Sequence, residues 1–391
     1  MNILLTPMSN LTTSYGAMTR CIAVARKAKE MGHNPIIAAG KDDVNQELMK
    51  KLEITVIESP VPIPFGLPRF AGKVLAKIIS AIDIPYSKPE DAPMQSFDVP
   101  LFMMGGTKEK FFRQDIKEIR RIIETYHIDA VYSEFRLSGI VAAKLAKVKC
   151  ITSYGKPESS EWGYSEKAAR DVNRVLSELG LPGVRSTLDI FHWADYKIVP
   201  SIEEFESFTD TSNVVYVGPL VHEEATHPKP TKRFILVYMG VAVFASRKVE
   251  RVCSEAFRGL PYEVLIGARE LREKHVENIK TRKFVRFEDY FPEAVLFINH
   301  AGQNSSMSGL INGVPQINFP GFIYERRFNA KNVEKVGAGI FCEREDFTPD
   351  RLRALVRQIE NDSKYAANAA NIGKKLLAQG GAEKVIKLMM K

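Results

Sequence analysis

Apolar and polar positions along this chain switch repeatedly between two rhythms. Short apolar runs of strand length are followed by stretches with helical spacing. "NILLT" (2–6) reads as a strand, "GAMTRCIAVARKAKEMG" (16–32) as a helix closed by Gly32, and "NPIIAAG" (34–40) as the next strand. A helix over 108–126, the strand "DAVYS" (129–133), a helix over 138–147 and the strand "KCITS" (149–153) follow. "YKIVPS" (196–201) and "NVVYVGPL" (213–220) complete this first set. Helices alternating with short apolar strands predict an α/β protein with parallel sheets.

The rhythm then breaks and restarts. "VHEEATHPKPTKR" (221–233) is polar and proline-containing, which marks a linker. Beyond it come the strand "FILVYMG" (234–240), a helix over 247–258 and the strands "YEVLIG" (262–267), "KFVRF" (283–287) and "AVLFIN" (294–299). A further helix, the strand "PQINFP" (315–320) and a helix over 325–335 close the second set. The pattern predicts two Rossmann-like domains facing each other across a cleft, with ligands at the carboxyl ends of the strands. The boundaries are residues 1–221 for the N-terminal domain, 222–233 for the linker and 234–391 for the C-terminal domain. The last helix is free to pack back on the N-terminal domain. Residues 60–100 carry eight prolines around the apolar stretch "FAGKVLAKIISAIDI" (70–84). Loops of that length are usually functional or disordered.

A length of 391 residues supports two domains, and 45% hydrophobic with 26% charged residues is a globular composition. Cys21, Cys150, Cys253 and Cys342 are widely spaced, so neither a disulfide framework nor a zinc site is indicated, and a cytoplasmic location is expected. "MNILLTP" lacks the layout of a signal peptide, and the 70–84 stretch is too short and too lysine-rich to span a membrane. Charge is unevenly divided. Residues 1–220 hold 27 basic and 27 acidic groups, so the whole net charge of +8 falls in residues 221–391. A basic half suits a phosphorylated ligand, an anionic membrane surface or nucleic acid. The densest run, "REKHVENIKTRKFVR" (272–286), has a single aromatic residue and no stacking pattern, which argues against nucleic acid and leaves peripheral membrane contact open.

The chemistry concentrates where the apolar run "AVLFIN" ends. His300, Ala301, Gly302 and Gln303 form a strand-to-helix turn, and Asn304, Ser305 and Ser306 open the helix. A helix N-terminus attracts anions through its unbonded N–H groups and its dipole, and a glycine lets the backbone approach a ligand. Small polar side chains there either cap the helix or add hydrogen bonds to a phosphate.

"HAGQNSSMSGLINGVPQINFPGFIYERRFNA" (300–330) resembles the donor-binding signature of family 1 nucleotide-sugar glycosyltransferases, which have the GT-B fold. "VGPLV" (217–221) and "VGAG" (336–339) are similar to the same family. The likeness covers the C-terminal half well and the N-terminal half loosely. It implies that His300, Asn304, Ser305 and Ser306 hold the donor diphosphate, with Gly302 giving room. Gln303 takes the place of a tryptophan common in plant members. Glu325 stands where an acidic residue binds hydroxyls of the donor sugar, and Gly240 matches the glycine of a loop facing the acceptor. The implied substrate is a UDP- or dTDP-linked sugar, the acceptor a small or lipid-like, apolar or amphipathic molecule. No metal and no other cofactor is implied, the outcome is inversion, and the oligomeric state is open.

Three departures bear on mechanism. Ser308 occupies the place of a glutamate that grips ribose hydroxyls in many members. Arg326 replaces a glutamine beside Glu325; a guanidinium suits a sugar carboxylate, whereas an exposed basic pair with Arg327 is the plainer reading. In "SYGAMTRC" (14–21), Ala17 and Arg20 fall where the family carries its catalytic histidine and a proline. The partner acid corresponds to Glu134 in "YSEF", which leaves Glu134 as the expected base. The implied activity is glycosyl transfer; the missing histidine is the support for the alternative, a non-catalytic, auxiliary GT-B protein, against which the donor signature keeps nearly all of its polar positions.

Overall fold

A computed structural model describes residues 1–8, 16–40, 46–68, 70–72, 74–75, 96–221, 233–240 and 243–391. Most of the 70–84 stretch, and the linker expected at 222–233 except Arg233, lie outside the described residues. The described chain divides into two compact units. The first contains residues up to 221 together with 379–391, and the second contains residues 233–378.

In the first unit the strands are β1 (Asn2–Pro7), β2 (Asn34–Ala39), β3 (Thr55–Glu58), β4 (Ala130–Glu134), β5 (Lys149–Ser153), β6 (Tyr196–Val199) and β7 (Val214–Tyr216). They form a parallel sheet in the order β3-β2-β1-β4-β5-β6-β7. The order reverses between β1 and β4, and their carboxyl ends meet at the register pair Pro7 and Glu134. Helix Gly16–Glu30 places Met18, Cys21, Val24, Ala25 and Ala28 at helical spacing, so one face packs on Ile3 and Leu5. The helix Gly381–Met390 adds Val385, Ile386, Leu388 and Met389 to the same core. Gly380 and Gly381 both have positive φ (97° and 54°), and the Gly381 N–H donates to the Val217 carbonyl at 2.7 Å. Glycine lowers the cost of that entry into the last helix.

The second unit repeats the grammar with β8 (Phe234–Tyr238), β9 (Glu263–Gly267), β10 (Lys274–Val276), β11 (Ile279–Arg282), β12 (Ala294–Asn299), β13 (Gln316–Asn318) and β14 (Gly339–Phe341). The order is β10-β11-β9-β8-β12-β13-β14, parallel except for the β10–β11 hairpin. Here the order reverses between β8 and β12, whose last residues Tyr238 and Asn299 are register partners. A ligand crevice is expected at that point.

One expected strand moved. "KFVRF" (283–287) is not a strand; the paired segment is Ile279–Arg282, four residues earlier. Ile279 and Thr281 are the buried positions of that alternation, whereas Phe284 is 78% exposed. An aromatic, β-branched run attracts a strand reading, but burial follows the register set by β9.

Candidate functional site

β12 is fully apolar until Asn299, whose buried carboxamide turns the chain. Its Oδ1 accepts the Ala301 N–H at 2.7 Å, and its Nδ2 donates to Gln316 Oε1 at 2.9 Å. Asn318 Nδ2 donates to the same Asn299 Oδ1 at 3.1 Å, and Gln316 Nε2 donates to the Ser306 carbonyl at 2.8 Å. This ladder of amides on two neighbouring strands therefore fixes both ends of the 300–306 turn. Ala301 is held in the left-handed region with φ of 56°. For a non-glycine residue this costs on the order of 1 kcal/mol or more and persists only where surroundings enforce it.

His300 is buried, with its ring edge-on to Tyr238 at 5.2 Å between centroids. Its Nδ1 lies 3.3 Å from the Tyr238 carbonyl. A carbonyl only accepts, so Nδ1 carries the proton. Nε2 looks toward two glycines: a Cβ on Gly302 would stand 2.7 Å from it and one on Gly240 3.0 Å. Both positions need glycine to keep the space beside the ring open, and Gly240 also adopts a φ of 58°.

Burial, reinforced by the nearby Arg326 charge and opposed by the Tyr238 carbonyl, pushes the His300 pKa down from 6.5 to about 3. The imidazole is thus neutral in the folded protein near neutral pH. As pH falls through 6.5 the unfolded chain takes up a proton that the folded chain refuses. This contribution to stability is complete above pH 6.5 and is lost toward pH 3, at up to about 1.4 kcal/mol per pH unit. Between pH 7 and 4, His300→Gln should therefore lose less melting temperature than wild type. Parallel pH profiles would contradict a neutral, buried His300.

The helix Gln303–Ile311 starts from Gly302 without a side-chain cap. Gln303, Asn304 and Ser305 are half-buried on its first turn, while Ser306 and Ser308 are buried. Ser306 Oγ is buried and has no hydrogen-bond partner among the described residues. A buried hydroxyl without a partner is costly and implies a ligand or water that completes it. The helix Tyr324–Lys335 brings Glu325 and Arg326, both half-buried, toward the turn. Asn329 joins them to it, donating to Glu325 Oε1 at 2.8 Å and to the Ala301 carbonyl at 3.0 Å. Arg326 and Arg327 do not form an exposed basic pair. Arg327 grips Glu343 with two nitrogens at 2.7 and 2.8 Å, whereas the Arg326 charge acts on His300 and Tyr238.

Glu134 belongs to the first unit. It is fully buried; Oε1 takes Arg20 Nε at 2.6 Å, and Oε2 accepts from Ser153 Oγ at 2.5 Å and from the Tyr132 hydroxyl. Ala17 is also buried. The expected accessible base is therefore corrected to one half of a closed ion pair. Both oxygens are occupied by donors, and solvent does not reach the carboxylate.

Reading the sequence singled out the turn but not the residues that hold it: Asn299, Gln316, Asn329 and Tyr238. The available signal was three carboxamides (Asn299, Gln316, Asn318) inside otherwise apolar strands, where amides are seldom buried without a partner.

Residues 261–391 match the erythromycin biosynthesis protein CIII-like C-terminal domain. The chain is 24% identical over 315 residues to the NDP-glycosyltransferase YjiC of Bacillus subtilis (strain 168), covering 74% of this chain and 78% of that one. It is 23% identical over 241 residues to the 3-alpha-mycarosylerythronolide B desosaminyl transferase of Saccharopolyspora erythraea, covering 59% and 56%. Among solved structures, the glycotransferase of kitacinnamycin superposes with a TM-score of 0.72 at 17% identity, over 99% of this chain and 97% of that one. The spinosyn rhamnosyltransferase SpnG complexed with thymidine diphosphate superposes with a TM-score of 0.69 at 15% identity, over the whole of both chains. The likeness to these structures shows the GT-B fold, two Rossmann-like units of mainly parallel sheet. Residues 300–330 resemble the donor signature of family 1 nucleotide-sugar glycosyltransferases, and they lie within the matched C-terminal domain.

Proposed function

We propose that this protein transfers a sugar from a UDP- or dTDP-linked donor, held by the second unit, to an apolar or amphipathic acceptor. The observation that carries the reading is Ser306 Oγ, buried and without a partner among the described residues, on the first turns of a helix that starts uncapped at Gly302, where Gly302 and Gly240 keep space open beside His300 Nε2. Such a site suits a diphosphate: the helix terminus and Ser306 supply donors, and His300 supplies a further one once it takes up a proton. Asn304 and Ser305 extend this cradle, Gln303 and Ser308 lie along the nucleoside side, and Glu325 takes sugar hydroxyls. The basic second half favours an anionic donor in the same way. Attack on the anomeric carbon proceeds with inversion and without a metal, as in the family the site resembles.

Glu134 is not the base in this reading. Its two oxygens are engaged, so the acceptor is one that needs little activation. The same closed pair, with Ala17 nearby in sequence, favours a second reading in which the chain binds nucleotide sugars without transferring them. Incubation with a panel of neutral and uronic UDP- and dTDP-sugars separates the two. Donor hydrolysis or transfer supports the enzyme; tight binding with neither supports the auxiliary protein; absence of both binding and turnover sinks the donor site. Arg326 sharpens the panel. Beside His300 and Tyr238 it is placed to read an anionic sugar, so Arg326→Gln should lower use of a uronic donor by roughly tenfold to a hundredfold relative to its neutral counterpart. Equal losses on both donors would leave Arg326 without a role in sugar choice.

A further inference from the structure

We infer that Asn329 is a positioning residue that sets the diphosphate turn and the sugar-facing acid in register with each other; this rests on the donor reading above. Its amide group has two N–H bonds, and both point at acceptors: the Ala301 carbonyl at 3.0 Å and Glu325 Oε1 at 2.8 Å. Since both partners only accept, the nitrogen rather than the oxygen must face them. Ala301 is the residue that needs holding. It lies between His300 and Gly302, is fully buried and has a φ of 56°. Asn299 Oδ1 accepts its N–H and Asn329 Nδ2 donates to its C=O, so a single strained residue is clamped from both sides. Four residues separate Glu325 from Asn329 on one helix, which puts them on the same face. One side chain thus ties the place where phosphate is gripped to the place where sugar hydroxyls are gripped.

Three variants test this by calorimetric titration with UDP or dTDP and with the matching nucleotide sugar. Asn329→Ala should weaken nucleoside diphosphate binding about tenfold. Asn329→Asp, which keeps the volume but turns the donor into an acceptor facing two acceptors, should be no better. Adding Ala301→Gly to Asn329→Ala removes the backbone strain and should restore most of the diphosphate affinity. It should not restore the extra affinity contributed by the sugar, because Glu325 stays unheld. A lower melting temperature with unchanged nucleotide affinity, tolerance of Asp, or no rescue by Ala301→Gly would each overturn the proposal. If the wild type binds no nucleoside diphosphate, the donor reading itself fails, and amide hydrogen exchange then decides the positioning role. Faster exchange across 301–306 in Asn329→Ala, slowed again by Ala301→Gly, supports the clamp, and unchanged exchange removes it.

Discussion

Glu134→Gln should lower the stability of the first unit by about 3–5 kcal/mol, the usual cost of removing one charge of a buried ion pair. The side chains of Arg20 and Glu134 are 8% and 0% exposed, and glutamine keeps the shape while removing the charge that compensates the guanidinium. For a unit of this size such a loss corresponds to a fall of roughly 6–20 °C in melting temperature. Removing both charges together, as Arg20→Met with Glu134→Leu, should recover a large part of it, because two apolar residues leave no unpaired ion. The contrasting expectation is specific. A general base contributes about 10²- to 10⁴-fold to turnover, so its loss would cut activity by that order with the melting temperature unchanged. Calorimetric melting together with turnover per folded molecule distinguishes the two outcomes. An unshifted melting temperature with a hundredfold loss of turnover would return Glu134 to catalysis.

Gly302→Val should abolish donor binding by a different route. The first atom of any side chain at this position would sit 2.7 Å from His300 Nε2, closer than atoms approach. The imidazole has nowhere simple to go, since Nδ1 is bonded to the Tyr238 carbonyl and Gly240 lies against the same ring. The valine therefore displaces the histidine and fills the space in front of the helix start. Loss of two charge-assisted hydrogen bonds, at about 1.5–3 kcal/mol each, weakens nucleoside diphosphate binding a hundredfold or more.

How much of this was legible in the sequence depends on how far each feature reaches along the chain. The strand–turn–helix around Gly302 is local: a six-residue apolar strand, a break and a run of small polar residues. It could be read directly, and so could the alternation that builds both sheets. The clamp on the turn is not local. Asn299 meets Asn318 only because β12 and β13 pair in that register, and Asn329 meets Ala301 only because its helix packs back on the turn. The state of Glu134 depends on Arg20, which is 114 residues away, and on the Tyr132 and Ser153 hydroxyls, so strand position alone suggested an accessible acid. "TVIE" and "GIF" are hard to read as strands because each is short and neither buries alternate positions, the signal on which a strand reading depends.

We propose that the 300–306 turn of the second unit holds the diphosphate of a nucleotide sugar. Calorimetric titration of the wild type and Gly302→Val with UDP and dTDP, each confirmed folded by its melting curve, tests it most directly. Saturable binding of at least one nucleotide to the wild type, and a loss of a hundredfold or more in the variant, are expected. Equal affinity in both proteins, or no binding to a folded wild type at millimolar nucleotide, would contradict it.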